Sequence, residues 1–272
     1  MPMLCGVCIL FLAIKHVAAY IYDGIRPGES ARSEAGYGLN GLGAAFTEAW
    51  KLLGGLDSNL VAIVALSLQV SLTAVVIATV IGLPLGALIA VERFPGRQML
   101  IVLLNALMGL PPVVVGLMVY LLLSRAGPLG SFGILFTPAA MVIAQTVLIV
   151  PIIAALARQT LEDAWREYEE QLRSLGAARL TAALTLIWDT RFSLVTIVLA
   201  GFGRAAAEVG AVMIVGGNID GVTRVMTTSI ALETSKGDLP LALGLGIVLI
   251  GLIVVLNAAA SLVKDLAARR YG

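Results

Sequence analysis

Residues 158–191 read RQTLEDAWREYEEQLRSLGAARLTAALTLIWDTR, a long polar segment between runs of almost unbroken apolar sequence. Within it Leu161, Trp165, Tyr168, Leu172 and Leu175 recur every three to four positions, the spacing that lays one apolar stripe along a helix. Gly176 breaks that helix, and a second is expected from Ala177 to Ile187. A charged helix–glycine–helix hairpin cannot rest in hydrocarbon, where charges and unpaired polar groups are costly. It must project into water from between membrane spans.

The surrounding composition requires those spans. The 272 residues are 59% hydrophobic and 13% charged, with a mean hydropathy of +0.98, beyond the range of soluble domains. Several apolar runs reach the roughly 20 residues that a transmembrane helix needs. The alternating segments of about 10 residues that mark a membrane β-barrel do not occur. The fold class is therefore an all-α integral membrane protein in a lipid bilayer. A net charge of +1 gives no reason to expect a nucleic-acid partner.

Enzyme chemistry finds no foothold. Cys5 and Cys8 have CxxC spacing but lie in an apolar run without a second ligand pair, so neither a metal nor a redox site is expected. His16 is the single histidine and cannot build a metal site or a triad alone. Neither a phosphate-binding glycine loop nor a nucleophile elbow occurs. No catalytic residue, metal or cofactor is assigned to the chain, and no nucleotide-hydrolysing domain of its own is expected.

Taken in order, the chain opens with an extension over 1–43. Its apolar segment, 3–22, reads as an extra membrane helix, an uncleaved signal-like anchor or an artefact of the start site. The Gly/Ser-rich stretch 23–43 reads as a flexible linker. The main domain covers 44–272. Phe46, Trp50, Leu53 and Leu56 suit a short interfacial helix. Five core spans follow, expected over Leu60–Val91, Gln98–Leu123, Phe136–Ala157, Phe192–Val215 and Pro240–Val263. The second contains Pro111–Pro112, which should kink it, since proline removes a backbone donor. Pro84 and Pro151 are further candidate kinks. Asn105 and Gln145 are polar residues inside spans, suited to helix–helix hydrogen bonds.

Orientation follows from basic residues in short connections. Arg93, Arg97, Arg158, Arg166, Arg173, Arg179, Arg191, Lys264, Arg269 and Arg270 fall on one side. Arg125, Arg224 and Lys236 fall on the other. Ten against three places the hairpin at about 158–191 and the C-terminus in the cytoplasm.

Two motifs point to a family. In the hairpin, Glu170 is followed six residues later by Gly176 and then by a second helix. This resembles the cytoplasmic EAA loop of ABC-transporter permeases, although Gln171 and Leu172 replace the family's alanines. Leu186, Trp188 and Asp189 stand where an Ile-x-Leu-Pro ending would. Further on, residues 200–238 read AGFGRAAAEVGAVMIVGGNIDGVTRVMTTSIALETSKGD. GFGRAAAEVGA is similar to the fourth-span motif of sulfate, molybdate and tungstate permeases, and GGNI with TRVMTTSIALETSKGD is closest to the tungstate branch. The likeness covers about residues 44–270.

That resemblance implies five core helices of the type I ABC importer permease fold, with an additional N-terminal helix as an option. It implies two copies forming a homodimeric pathway in a bacterial inner membrane. A separate cytoplasmic ATPase subunit would bind ATP and Mg, and an extracytoplasmic binding protein would deliver the anion. Glu170, Arg173, Leu175, Gly176 and Ala177 would belong to the coupling helix that docks on the ATPase. The substrate implied is an oxyanion, tungstate first, with molybdate or sulfate as the alternative. A secondary transporter is the alternative from another class, but no internal duplication supports it.

The residues themselves offer candidates for a translocation pathway. Arg204 and Glu208 are one helical turn apart in an apolar span. An arginine near the bilayer centre costs about 2.5–3.5 kcal/mol on insertion scales, so it needs a partner or water. A cation there suits a dianion, but a pair that only holds the bundle or dimer together is the favoured reading, because a transporter should not grip its substrate tightly midway. Asn218, with Gly216 and Gly217, marks a helix end. Thr223, Thr227 and Thr228 offer neutral hydroxyls that could solvate an oxyanion or simply cap and pack.

Overall fold

In the computed structural model, Thr47 and residues 58–271 are described. The extension expected over 1–43, with its apolar segment, lies outside the described residues. Of the interfacial helix expected around Phe46–Leu56 only Thr47 is described, and it is helical.

The described residues form nine α-helices and one 3-10 turn. They are α1 (Ser58–Val91), α2 (Arg97–Met108), α3 (Pro112–Leu123), the 3-10 turn Gly130–Phe132, α4 (Pro138–Ser174) and α5 (Arg179–Asp189). The remaining helices are α6 (Arg191–Ala206), α7 (Gly210–Gly216), α8 (Met226–Lys236) and α9 (Leu239–Tyr271). By length and composition α1, α4 and α9 can each cross a membrane, and there are up to five spans if each bent pair, α2–α3 and α5–α6, counts as one.

The bundle is built on α1 against α4. Alanines dominate the seam, with Ala74, Ala78, Ala87 and Ala90 on α1 meeting Ile149, Ile153 and Ala157 on α4. Among lipid tails the hydrophobic effect does not drive helices together, so small residues that allow close dispersion contact take over. Gly82 and Gly86 extend this logic. A Cβ added at Gly86 would lie 2.8 Å from the Ala154 carbonyl oxygen and 2.9 Å from the Arg158 nitrogen, so α1 approaches the α4 backbone directly.

At 37 residues, α4 is about 55 Å long, well beyond a hydrocarbon core of about 30 Å. Its first twenty residues are uncharged and its charges begin at Arg158. The third span and the first hairpin helix, expected as separate elements, are thus one rod. Its apolar stripe points inward as the spacing implies, with Leu161 and Trp165 buried and Tyr168 and Leu172 packed against the core. Leu175 is the exception at 83% exposed, because the helix has ended and the chain is already turning.

Two of the five expected spans are broken. The second is not one kinked helix: α2 and α3 meet at 101°, because Pro111 and Pro112 begin two residues after the Gly109 cap and regular helical bonding is interrupted there. The fourth ends at Ala206 rather than Val215, and α7 begins only at Gly210. Pro84 and Pro151, by contrast, lie inside continuous helices. Asn105 is exposed on α2 and makes no helix–helix bond, whereas Gln145 donates from α4 to the Ala205 carbonyl of α6 at 3.2 Å.

Candidate functional site: a charged hairpin and a buried ion pair

The hairpin turns on Gly176. Its N–H donates to the Arg173 carbonyl and the Ala177 N–H to the Leu172 carbonyl, each at 3.0 Å. This pair of bonds closes a helix C-terminus and requires a left-handed residue. Gly176 supplies it at φ 66°. Glu170, Arg173 and Leu175 are exposed around the turn, and Ala177 is half-buried.

Beyond the turn, α5 carries two apolar faces. Ala182 and Leu186, spaced by one turn, are buried against the core. Leu180, Leu184 and Trp188, also four residues apart, are exposed at 74%, 59% and 71%. A second apolar face beside so many charges is unusual for a surface that ends in water. Sequence reasoning missed it, although its spacing of four was readable.

The charges along the hairpin are not loose. Glu162 receives Arg158 at 2.6 Å, Arg166 at 3.0 Å and Arg97 at 3.3 Å. Burial alone would raise its carboxyl pKa, but hydrogen bonds from Arg158 and Arg166 and the nearby Arg97 charge hold it below the usual carboxylate value. Glu169 pairs with Arg173 at 2.6 Å and Arg93 at 3.6 Å, and Arg179 pairs with Glu92. Sequence reasoning gives Glu162, Glu169 and Glu92 no role, and Arg97 and Arg158 enter it only as basic residues that set the orientation. The i,i+4 spacing of Arg158, Glu162 and Arg166 would have found part of the set.

At the other candidate site Arg204 and Glu208 do meet, at 2.6 Å. Glu208 is not one turn further along the helix, however. It sits in the break between α6 and α7, its side chain 3% exposed while that of Arg204 is 36% exposed. The second carboxylate oxygen accepts the Ala211 N–H at 3.1 Å, near the start of α7. The Thr227 hydroxyl donates to the Glu208 carbonyl at 2.9 Å. Arg204, Glu208 and Thr227 are therefore brought together, and Glu208 and Thr227, with Ser67, Ser71 and Gln145, line a water-sized cavity of about 10 Å³. The Gln145 Oε1 is buried there without a hydrogen-bond partner.

Thr223 and Asn218 belong to the connection between α7 and α8, and Thr228 to the first turn of α8. The Thr223 hydroxyl donates to the Gly216 carbonyl at 2.6 Å and accepts the Ile219 N–H at 2.9 Å. The Thr228 hydroxyl accepts the Val225 N–H at 3.0 Å, capping α8. Both threonines are fully buried. Asn218 adopts a left-handed conformation at φ 50°. Among the described residues no group of three or more metal-ligating side chains occurs.

Helices long and apolar enough to cross a membrane, two of the expected spans broken, and a charged hairpin with an open apolar face define a helical membrane protein. A family model described as binding-protein-dependent transport system inner membrane component matches residues 82–272, and the chain belongs to that family. It is 42% identical over 213 residues to the tungstate uptake system permease protein of Peptoclostridium acidaminophilum, covering 78% of this chain and 93% of the relative. It is 37% identical over 212 residues to the tungstate uptake system permease protein of Campylobacter jejuni, covering 78% and 89%. It is 37% identical over 226 residues to a probable anion ABC transporter permease protein of Haloferax volcanii, covering 81% and 97%. The chain is thus an ABC-transporter permease, an inner-membrane component rather than an enzyme. That membership sets aside the secondary transporter.

Proposed function

We propose that this chain forms the membrane pathway of an ATP-driven importer that carries an oxyanion, tungstate, into the cytoplasm. The observation that carries the coupling part is the open apolar face of α5. Leu180, Leu184 and Trp188 stand on a hairpin too charged to enter lipid, so a protein groove is the surface that can cover them. The groove belongs to a cytoplasmic ATPase subunit, which binds ATP and Mg. The turn residues Glu170, Arg173, Leu175, Gly176 and Ala177 set the angle at which α5 is presented. The excess of basic residues on this side supports its cytoplasmic placement, with the C-terminus on the same side.

The substrate part rests on the two tungstate permeases at 42% and 37% identity. A second copy of the chain completes the pathway, and an extracytoplasmic binding protein supplies the anion. Arg204 lines the route with its open third, and Glu208 anchors it from behind. The α7–α8 connection with Asn218 forms the outer mouth, its backbone held by the buried hydroxyls of Thr223 and Thr228, while that of Thr227 holds the Glu208 carbonyl. A cation already paired with a carboxylate attracts a dianion without holding it, which suits a site that must also release.

Co-expression with the ATPase subunit tests the docking. The two should purify together, and Trp188→Ala should weaken the association by about tenfold or more, as truncation of a buried aromatic anchor does. A permease that binds no ATPase, or binds it equally well without Trp188 and Leu184, would defeat this reading.

A further inference from the structure

The six residues from Glu92 to Arg97, joining α1 to α2, are tied to the hairpin at three levels. Arg97 reaches Glu162 at 3.3 Å, Arg93 reaches Glu169 at 3.6 Å, and Glu92 pairs with Arg179 on α5. Glu162 and Glu169 are seven residues apart, two helical turns, so both lie on one face of α4. Arg97 does more than pair. It is the first residue of α2, and its Nε donates to the Ile89 carbonyl in the last turns of α1 at 2.7 Å. One guanidinium therefore joins the end of α1, the start of the broken span α2–α3 and the root of the hairpin. With side-chain exposures of 22% and 16%, the Arg97–Glu162 contact is shielded from the solvent that weakens surface pairs.

Apolar packing also joins these elements. Leu161, Trp165, Ala182 and Leu186 share a core with Ala87, Ala90 and Val91. That contact holds them together but is not directional, and a smooth alanine-rich surface allows sliding. Between α1 and α5, moreover, an apolar groove of about 590 Å³ opens beside Leu85, Leu88 and Leu184, with Glu92 and Arg179 among its lining residues. At its edge the Glu92–Arg179 pair adds a directional contact to the apolar packing of Ala182 and Leu186.

We infer that the turn Glu92–Arg97 is a transmission link: through Arg97–Glu162 and Glu92–Arg179 it turns displacement of the hairpin into movement of α1 and of the broken span α2–α3. Arg97 is then a positioning residue for transport, and it touches neither ATPase nor anion. This rests on the docking reading above. Removing Arg97 should be tolerated by the fold, because Glu162 keeps Arg158 and Arg166 and the apolar core is untouched.

The test uses the complete complex, permease with ATPase and binding protein, in proteoliposomes supplied with tungstate and ATP. Arg97→Met should assemble with the ATPase and hydrolyse ATP within about twofold of the parent, while uptake per ATP falls about tenfold, within the usual range of coupling effects. Glu92→Arg and Arg179→Glu should each lower uptake per ATP, and the double variant should recover most of it, as a paired interaction requires. Unchanged uptake per ATP in Arg97→Met, or a double variant no better than its worse single, would overturn the link. Loss of ATPase association in the parent would instead defeat the docking reading itself.

Discussion

Glu208 meets Arg204 at 2.6 Å from beyond the end of α6, where the helix has stopped and α7 has not begun. The carboxylate thus holds both the cation and the N–H of Ala211. It fixes the direction of a bend as well as a charge.

Arg204→Ala leaves Glu208 buried without its cation. Loss of a buried partner typically costs about 3–5 kcal/mol, and the exposure of Arg204 brings this nearer to about 1–3 kcal/mol through solvent screening. A reduced yield of folded protein is expected. Arg204→Gln with Glu208→Gln removes both charges and should restore the yield while uptake stays low. Yield follows from fluorescence-detected gel filtration; recovered uptake in the double variant would show that the pair only supports the bundle.

Gly176→Pro should leave the membrane domain inserted and abolish transport-linked ATPase stimulation. Proline fixes φ near −65°, opposite in sign to the 66° adopted here, and removes the N–H that bonds Arg173. The turn would reopen and α5 would point elsewhere. Stimulation measured at the parental level would refute the docking role.

Gly86→Val tests the α1–α4 seam. The added atoms meet the Ala154 and Arg158 backbone and the Ala157 Cβ, and overpacking of this kind costs about 1–3 kcal/mol or more. A marked fall in the detergent melting temperature is expected. Glycine to valine at Gly246, where an added Cβ meets nothing within 4 Å, is the control and should be close to neutral.

The fold was largely legible because membrane spans are written as long apolar runs, and α1, α4 and α9 appear close to where those runs lie. The breaks were not. Pro111–Pro112 shows that something bends, but an angle of 101° depends on how α3 packs on α7, as at Gly116, where an added Cβ would meet Ala211 Cα at 2.8 Å. At the hairpin the turn glycine was readable, while the pairing of Glu162 with Arg97 was not, since those residues are far apart in the chain. Arg204 and Glu208 were found by their cost in lipid, yet their spacing suggested a continuous helix that does not exist.

Glu162 sets a pH expectation. Its folded-state value is depressed below 4.5, so its pairing contributes stability that is present above that value and lost as pH falls through the lower folded one. Glu162→Gln should therefore destabilise the protein at pH 7, and the difference from the parent should narrow only in acid, below the usual carboxylate range. Melting curves of both proteins at several pH values check this; a difference that narrows between pH 7 and pH 6 would be inconsistent with it.

Uptake by the reconstituted complex, read by elemental analysis with tungstate and molybdate supplied at equal concentration, bears on the central claim most directly. ATP-dependent accumulation of tungstate in clear excess over molybdate is expected. Equal transport of the two anions would contradict the tungstate assignment, and accumulation that needs neither ATP nor the ATPase would contradict the importer itself.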